Sequence, residues 1–391
     1  MPKPEGQMLI ITRNLPPLTG GMEKLMSRVV QQLGSEYEVT VIGPRGSSRF
    51  VDEHARCYAT PGSGLVGYLL AAVPLMILSL LRSRPTAVIA GSGVTAPLAQ
   101  LASVIARCPL MVFVHGLDLV AERRAYRAIA LPAIRSASYV VANSRSTAAL
   151  AREAGVQANR LLTIAPGVEY PPLEVTEGRF RREFGLKDRP VLLSVGRLVP
   201  RKGLVPFVEH ALPKVLQHHP NAVLTIVGQV PDQALLHGRN ERSKIEAIAR
   251  RVGLNSHILF CGRISEAMLS AAYSDANLLI FPVVETPGDV EGFGMVALEA
   301  AAFGLPTFGF SVDGLRDSVL HTSTGELFTP GDYDLMADAI CKHLDRIDQT
   351  LYQQGCLQHA ERHSWQAYGE QLRRAVRSMI RNDSSTSFEQ R

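Results

Sequence analysis

Two successive series of short, unbroken apolar runs, each separated from the next by a helix-like stretch, constrain this fold more than any other feature. The first series is Leu9–Thr12, Glu38–Ile42, Ala87–Ala90, Leu110–Val114, Tyr139–Ala142 and Leu161–Ile164. Patterns of helical period lie between them, such as Met22–Leu33 and Ala96–Arg107. The series then restarts with Val191–Val195, Ala222–Val227, Ile258–Phe260, Leu278–Phe281, Pro306–Phe310 and Gly325–Phe328. Runs this apolar, without in–out alternation, suit strands covered on both faces, so each series predicts an α/β domain with a parallel sheet. A chain of 391 residues accommodates two or three domains of about 100–200 residues.

Between the series, Pro166–Pro172 leads into a polar, charged stretch through Arg189-Pro190, which reads as a linker with a short helix at Phe180–Phe184. The expected domains are 1–172, 173–363, and a C-terminal segment 364–391 free to pack back on the first domain. That last segment reads as a helix ending at Asn382-Asp383-Ser384-Ser385, followed by a frayed tail.

Composition excludes several classes. Cys57, Cys108, Cys261, Cys341 and Cys356 show no paired spacing, which argues against a disulfide scaffold or structural zinc and fits a reducing compartment. A net charge of +5 over this length carries no nucleic-acid signature. It does permit mild attraction to phosphorylated ligands or an anionic membrane surface. No signal-peptide core precedes the first strand-like run, so a cytoplasmic protein is expected. The most apolar segment, Leu65–Leu81, is uncharged. A well-buried helix broken at Pro74 is the favoured reading; a helix lying on a membrane surface and a span are the others.

The richest segment follows the strand ending at Phe281. Glu285 to Ala300 is a glycine-containing loop and then an alanine-rich helix. Gly294, Met295 and Val296 would offer the first helical amides to an anion, with Glu291 on the loop and Glu299 one turn into the helix. That set suits a ligand with a diphosphate and several hydroxyls, although two solvated carboxylates read equally well. Arg197 and Lys202, after the first strand of the same domain, could neutralise a diphosphate or be ordinary loop charges. In the first domain, Gly20-Gly21 at a strand–helix junction permits close backbone contact or a plain turn. His115, in His115-Gly116-Leu117-Asp118 after an apolar strand, could bond a hydroxyl or be structural.

Three other signals carry less. Gly91-Ser92-Gly93-Val94-Thr95-Ala96 has the G-x-G-x-x-A form, but no acidic residue ends a strand about 20 positions on, as NAD binding would want. Asp332-Tyr333-Asp334 starts a helix and reads as a cap rather than a metal–diphosphate motif. His359 to His363 lacks metalloprotease spacing and reads as a solvated helix face.

Taken together, these segments resemble the retaining glycosyltransferases of the group-1 type (family 4) with the GT-B fold, over nearly the whole chain. The most specific part is the E-x7-E motif from Glu291 to Glu299. Gly196–Gly203, Gly20-Gly21, His115-Gly116 and Pro166-Gly167-Val168 match as well. The wording of 197–203 and 289–299 is most similar to mannosyltransferases acting on phosphatidylinositol mannosides.

The resemblance implies two Rossmann-like, doubly wound domains facing across a cleft, the N-terminal one for the acceptor and the C-terminal one for the nucleotide sugar. Arg197 and Lys202 would bind the donor diphosphate and Gly21 would lie against it. Glu291 would hold a sugar hydroxyl and Glu299 the ribose. Gly292, Phe293, Gly294, Met295 and Val296 would contact sugar and phosphate through their amides. Ile264 would meet the base through its backbone, and His115 would sit near the transferred sugar. No metal, cofactor or protein nucleophile is implied. The expected reaction moves a hexose from a GDP- or UDP-linked donor to a hydroxyl of a lipid-linked or polysaccharide, including lipopolysaccharide, precursor. Peripheral contact with the inner face of an anionic membrane is a further expectation, with Arg123, Arg124 and Arg127 at the headgroups or simply solvated. A GT-B nucleotide-sugar epimerase and a non-catalytic sugar-nucleotide-binding partner are the competing readings.

Overall fold

The computed structural model describes residues 5–51, 55–62, 64–170, 172, 175–230, 240–346 and 349–389, with side chains through 383. It divides into two compact units, Met1–Gly167 joined by Trp365–Arg391, and Val168–Ser364.

The first unit is built on a seven-stranded parallel sheet. Its strands are β1 (Gln7–Ile11), β2 (Glu38–Gly43), β3 (Ala55–Ala59), β4 (Ala87–Ala90), β5 (Leu110–Val114), β6 (Tyr139–Ala142) and β7 (Leu161–Thr163). They stand in the order β3-β2-β1-β4-β5-β6-β7. The second unit holds β8 (Val191–Val195), β9 (Val223–Val227), β10 (Ile258–Gly262), β11 (Leu278–Phe281), β12 (Thr307–Phe310) and β13 (Gly325–Phe328). Their order is β10-β9-β8-β11-β12-β13, again parallel. Central strands β4, β5, β8, β9 and β11 are buried at every position, as continuous apolar runs require. Both sheets are doubly wound. In each, the chain runs outward to one edge and returns beside its first strand, so a switch point lies between β1 and β4 and another between β8 and β11.

Four expectations need correction. The first sheet has seven strands, because Ala55–Ala59 pairs along β2. This edge strand is half-exposed and reads Ala-Arg-Cys-Tyr-Ala, so it lacks the apolar run that marked the others. The segment around Leu65–Leu81 forms one helix, α2 (Gly64–Arg82), which continues through Pro74. It is not a buried helix, for only 22% of its most apolar stretch is buried. Tyr68, Ala72, Met76 and Ser79 face the core, and the Tyr68 hydroxyl donates to the Ile42 carbonyl at 3.0 Å. Val66, Leu70, Val73, Ile77 and Leu81 lie open on the other side. Third, His359 is buried on a helix (Gln353–Arg362) that packs against the alanine-rich one, and burial pushes its imidazole down to about 4. Fourth, the last helix (Trp365–Glu389) runs past Asn382-Asp383 instead of ending there.

That last helix belongs to the first unit. It packs against α1 (Gly21–Gly34), where Arg373 donates to Gln32 Oε1 at 2.7 Å, and Arg373 and Arg377 pair with Glu36 at 3.1 and 2.8 Å. Of the linker expected before Arg189-Pro190, Pro171 and residues 173–174 lie outside the described residues. The short helix within it spans Arg179–Glu183. Asp332 caps its helix by accepting the Leu335 N–H, as the sequence suggested.

Candidate active site

Open α/β sheets bind ligands outside the carboxyl ends of their strands at the switch point. In the second unit the loops leaving β8 and β11 meet there. Pro200–Lys202 forms a tight turn closed by Gly203 at φ +66°. A Cβ on Gly203 would stand 1.8 Å from the Pro282 carbonyl, so glycine is what lets this loop lie against the end of β11. The Val284 N–H donates to the Arg201 carbonyl at 2.9 Å and fastens the two loops together.

This junction turns Arg201 and Lys202 onto one carboxylate. Lys202 Nζ lies 2.7 Å from Glu291 Oε2, and Arg201 Nη1 donates to that same oxygen. Arg201 also pairs through Nε with Asp289 Oδ1 at 3.1 Å. The Lys202 ammonium stands 4.1 Å from the centre of the Phe281 ring, on the ring's negative face. Glu291 is held by its backbone too: its N–H donates to Asp313 Oδ2 and its carbonyl accepts from Gly314, each at 3.0 Å.

Burial pushes each charge in this group toward neutrality, and its partners decide the outcome. Burial would raise Glu291, but the charges of Lys202 and Arg201 prevail and hold its carboxyl down at about 2. Burial lowers Lys202 to about 8, an effect that Glu291 only partly offsets. Arg201 is stabilised as a cation by Glu291 and Asp289 despite its burial. Burial raises Asp313 against its bond from the Glu291 N–H. Arg197 is exposed, near enough for its charge to bear on Lys202.

Gly294 is the N-cap of the alanine-rich helix Met295–Ala302 rather than part of its first turn. Met295 and Val296 are therefore its first amides, beside the loop that carries Gly292 and the buried Phe293. Glu299 does not join the Arg201–Lys202 group. It accepts the Tyr273 hydroxyl at 3.0 Å, from the helix Glu266–Asp275, and burial with this carboxylate drives that phenol well above its ordinary range. Ile264 follows the edge strand β10.

In the first unit, Gly21 opens α1 after β1, and Asn14 Nδ2 donates to Glu23 Oε1 at 3.0 Å beside it. His115, after β5, has its backbone N–H bound to Asp118 Oδ2 at 3.0 Å. Its Nε2 is 2.8 Å from the Gly91 carbonyl and so donates the hydrogen bond, while Nδ1 is buried without a partner. The glycines of the G-x-G-x-x-A signal serve packing here. A Cβ at Gly91 would stand 2.2 Å from Thr12 Oγ1, and one at Gly93 would stand 2.5 Å from the Tyr126 hydroxyl.

Sequence reasoning named Lys202 and Glu291 but missed Arg201, Asp289, Asp313, Tyr273 and Asp118. Asp289 and Glu291 do stand two residues apart on one loop, and Arg201 adjoins Lys202. Nothing local shows that the turn before Gly203 folds an arginine inward. Among the described residues, no group of three or more His, Cys, Asp or Glu side chains is placed to hold a metal ion.

Two family models match the chain. "Glycosyltransferase Family 4" matches residues 19–170 and "Glycosyl transferases group 1" matches 177–352. A GDP-mannose-dependent alpha-(1-6)-phosphatidylinositol monomannoside mannosyltransferase of Mycolicibacterium smegmatis is 29% identical over 359 residues, 85% of this chain and 88% of that protein. A protein of that name from Mycobacterium tuberculosis is 28% identical over 370 residues, 88% and 91% of the two chains. Among solved structures, Anabaena Alr3699/HepE in complex with UDP and glucose superposes with a TM-score of 0.79 at 20% identity, over 96% of this chain and 100% of that one. Sucrose-phosphate synthase from Thermosynechococcus elongatus gives 0.78 at 21% identity, over 96% and 99%. These structural likenesses establish the fold.

Proposed function

We infer that this chain acts as its two matched domains indicate, as a glycosyltransferase of the GT-B fold made of a family 4 domain and a group 1 domain. On that premise we propose that it moves a hexose, with mannose from GDP-mannose the first candidate and a UDP-linked sugar the second, to a hydroxyl of a lipid-linked or polysaccharide precursor. Transfer retains the anomeric configuration and uses no metal or cofactor. The observation that carries this reading is the meeting of Arg201, Lys202 and Glu291 at the β8–β11 switch point, beside the N-terminus of the helix Met295–Ala302.

The roles follow from the chemistry present. Lys202 and Arg197 face the diphosphate as cations, and the Met295 and Val296 amides add oriented donors. Glu291 accepts from a sugar hydroxyl and Glu299 from the ribose. The Nδ1 of His115 is an acceptor suited to a hydroxyl. As the bond from the anomeric carbon to the diphosphate breaks, its electron pair stays on the phosphate oxygen, where Lys202 and Arg197 stabilise it. The acceptor oxygen bonds that carbon from the same face and passes its proton to the leaving phosphate. No protein nucleophile is required.

A lipid-linked acceptor is supported by the surface of the first unit. The open stripe of α2 lies beside the helix Ala96–Ala106, which exposes Leu101, Val104 and Ile105. No acidic residue occurs between 54 and 117, whereas Arg82, Arg84 and Arg107 are exposed there. Arg123, Arg124 and Arg127 are exposed as well. An apolar surface rimmed by arginines matches an anionic bilayer interface, and we place the protein there, on the cytoplasmic side. The mycobacterial relatives are named as transferases, which favours transfer over the epimerase and idle-partner readings.

The test pairs thermal shift with turnover. GDP-, UDP- and ADP-sugars are screened, and the stabilising donor is then incubated with phosphatidylinositol-type and polyprenyl-type lipid acceptors, in EDTA. Stabilisation by one nucleotide family and transfer with retained anomeric configuration support the proposal. Turnover of the donor without any acceptor, to an isomeric sugar nucleotide, would establish the epimerase instead.

A further inference from the structure

We propose that Arg201 is a positioning residue that keeps Glu291 in place while Lys202 is drawn off to the donor's diphosphate. The inference rests on the donor-site reading above and concerns how that site exchanges partners.

Arg201 and Lys202 both reach Glu291 Oε2, yet they are held very differently. Arg201 is 5% exposed. Its guanidinium is gripped at two points, by Glu291 through Nη1 and by Asp289 through Nε. Its carbonyl is fastened to the β11 loop by the Val284 N–H. Lys202 brings a single point charge on a mobile stem. It lies between Glu291, the Phe281 ring and the positive field of Arg197.

The four side chains Arg201, Lys202, Asp289 and Glu291 sum to zero charge. An incoming diphosphate adds about two negative charges and needs a cation from this group. Arg201 is ill placed to answer, because leaving would take the cation from Asp289 as well as one of the two from Glu291. Lys202 can answer, provided that Glu291 keeps another cation. A buried carboxylate stripped of its partners is strongly unfavourable. Arg201 therefore makes the exchange cheap: it holds Glu291 charged and aimed at the sugar while Lys202 changes partner. Without it, Glu291 competes with the diphosphate for Lys202.

The experiment measures binding of GDP, UDP and ADP, and steady-state kinetics, for wild type, Arg201→Met, Arg201→Lys and the double variant Arg201→Met/Glu291→Gln. Each variant is first checked by its thermal unfolding. Arg201→Met should weaken nucleoside diphosphate binding about 10- to 100-fold, as expected from the loss of one charged hydrogen-bonding partner, and raise the donor KM by the same factor. The double variant should regain most of that binding, because a neutral glutamine no longer retains Lys202, though it should not regain sugar transfer. Arg201→Lys should fall between wild type and Arg201→Met and also covers the case in which Arg201→Met does not fold. Unchanged diphosphate affinity in Arg201→Met and Arg201→Lys would overturn the proposal. So would a double variant no better than the single one, since a merely structural arginine predicts no rescue. If wild type binds none of the three diphosphates, the donor-site reading itself falls and this inference falls with it.

Discussion

Lys202 and Glu291 form a 2.7 Å ion pair across 89 positions of sequence, at the point where the strand order of the second sheet turns back on itself. The pair sets opposite pH limits on the protein. Burial lowers Lys202 to about 8, so its ammonium, the form that a diphosphate needs, is lost as pH rises through that value. We expect kcat/KM for the donor to fall above about pH 8. Lys202→Ala should lower it by about a hundredfold or more and abolish that limb, as removal of a stabilising cation from a preorganised site does. A profile unchanged from pH 7 to 9.5 would remove Lys202 from the donor site.

The acid side follows from Glu291. Its folded-state value, held at about 2 by Lys202 and Arg201 against burial, lies below the ordinary 4.5. A depressed carboxylate adds stability that is fully present above about pH 4.5 and lost as pH falls toward 2. Urea unfolding at pH 7, 4.5 and 3 should show a wild-type advantage over Glu291→Gln that shrinks with acidification. An advantage that grew would contradict the ion pairing.

Tyr273 donates to Glu299. Should Glu299 hold the ribose, this phenol orients it. Tyr273→Phe should then raise the donor KM about fivefold, worth about 1 kcal/mol, with little change in kcat. Glu299→Ala should reduce transfer strongly. Near-normal donor KM in both variants would dismiss that role.

His115→Ala should lower kcat by about a hundredfold while leaving nucleoside diphosphate binding intact, because His115 belongs to the first unit and the proposed nucleotide site to the second. Equal losses in GDP or UDP affinity would assign the histidine to packing instead.

For the membrane surface, Leu70→Glu with Leu81→Glu is informative, since both side chains lie open on α2, at 71% and 81% exposure. The thermal midpoint should stay within a few degrees of wild type. Flotation with liposomes containing anionic lipid should fall sharply. Undiminished flotation would argue that another surface meets the lipid.

Much of this architecture was legible in the sequence, for a specific reason. Strands such as Val191–Val195 and Leu278–Phe281 are buried on both faces, and a predominantly apolar run, with Ser194 its polar exception, suits that position. Ala55–Ala59 escaped notice because an edge strand is buried on one flank only and tolerates Arg56. The α2 helix misled in the opposite direction. Its apolar residues occur on every face, so composition could not distinguish Leu70, open to solvent, from Met76, fully buried. At the site, Lys202 and Glu291 were readable from loop chemistry, whereas Arg201 was not. An arginine's charge is visible in any sequence, but its burial here depends on Gly203 resting against Pro282.

The final helix closes back on the unit in which the chain began. Its arginines reach Gln32 and Glu36, residues made more than three hundred positions earlier. Chains usually complete their N-terminal domain first during synthesis. In this one the second unit is finished while the first still lacks its last helix, with the Gln32–Glu36 end of α1 left bare of its partners until the ribosome has delivered Arg377. The early unit thus gains these contacts only after the whole of the second unit has been made.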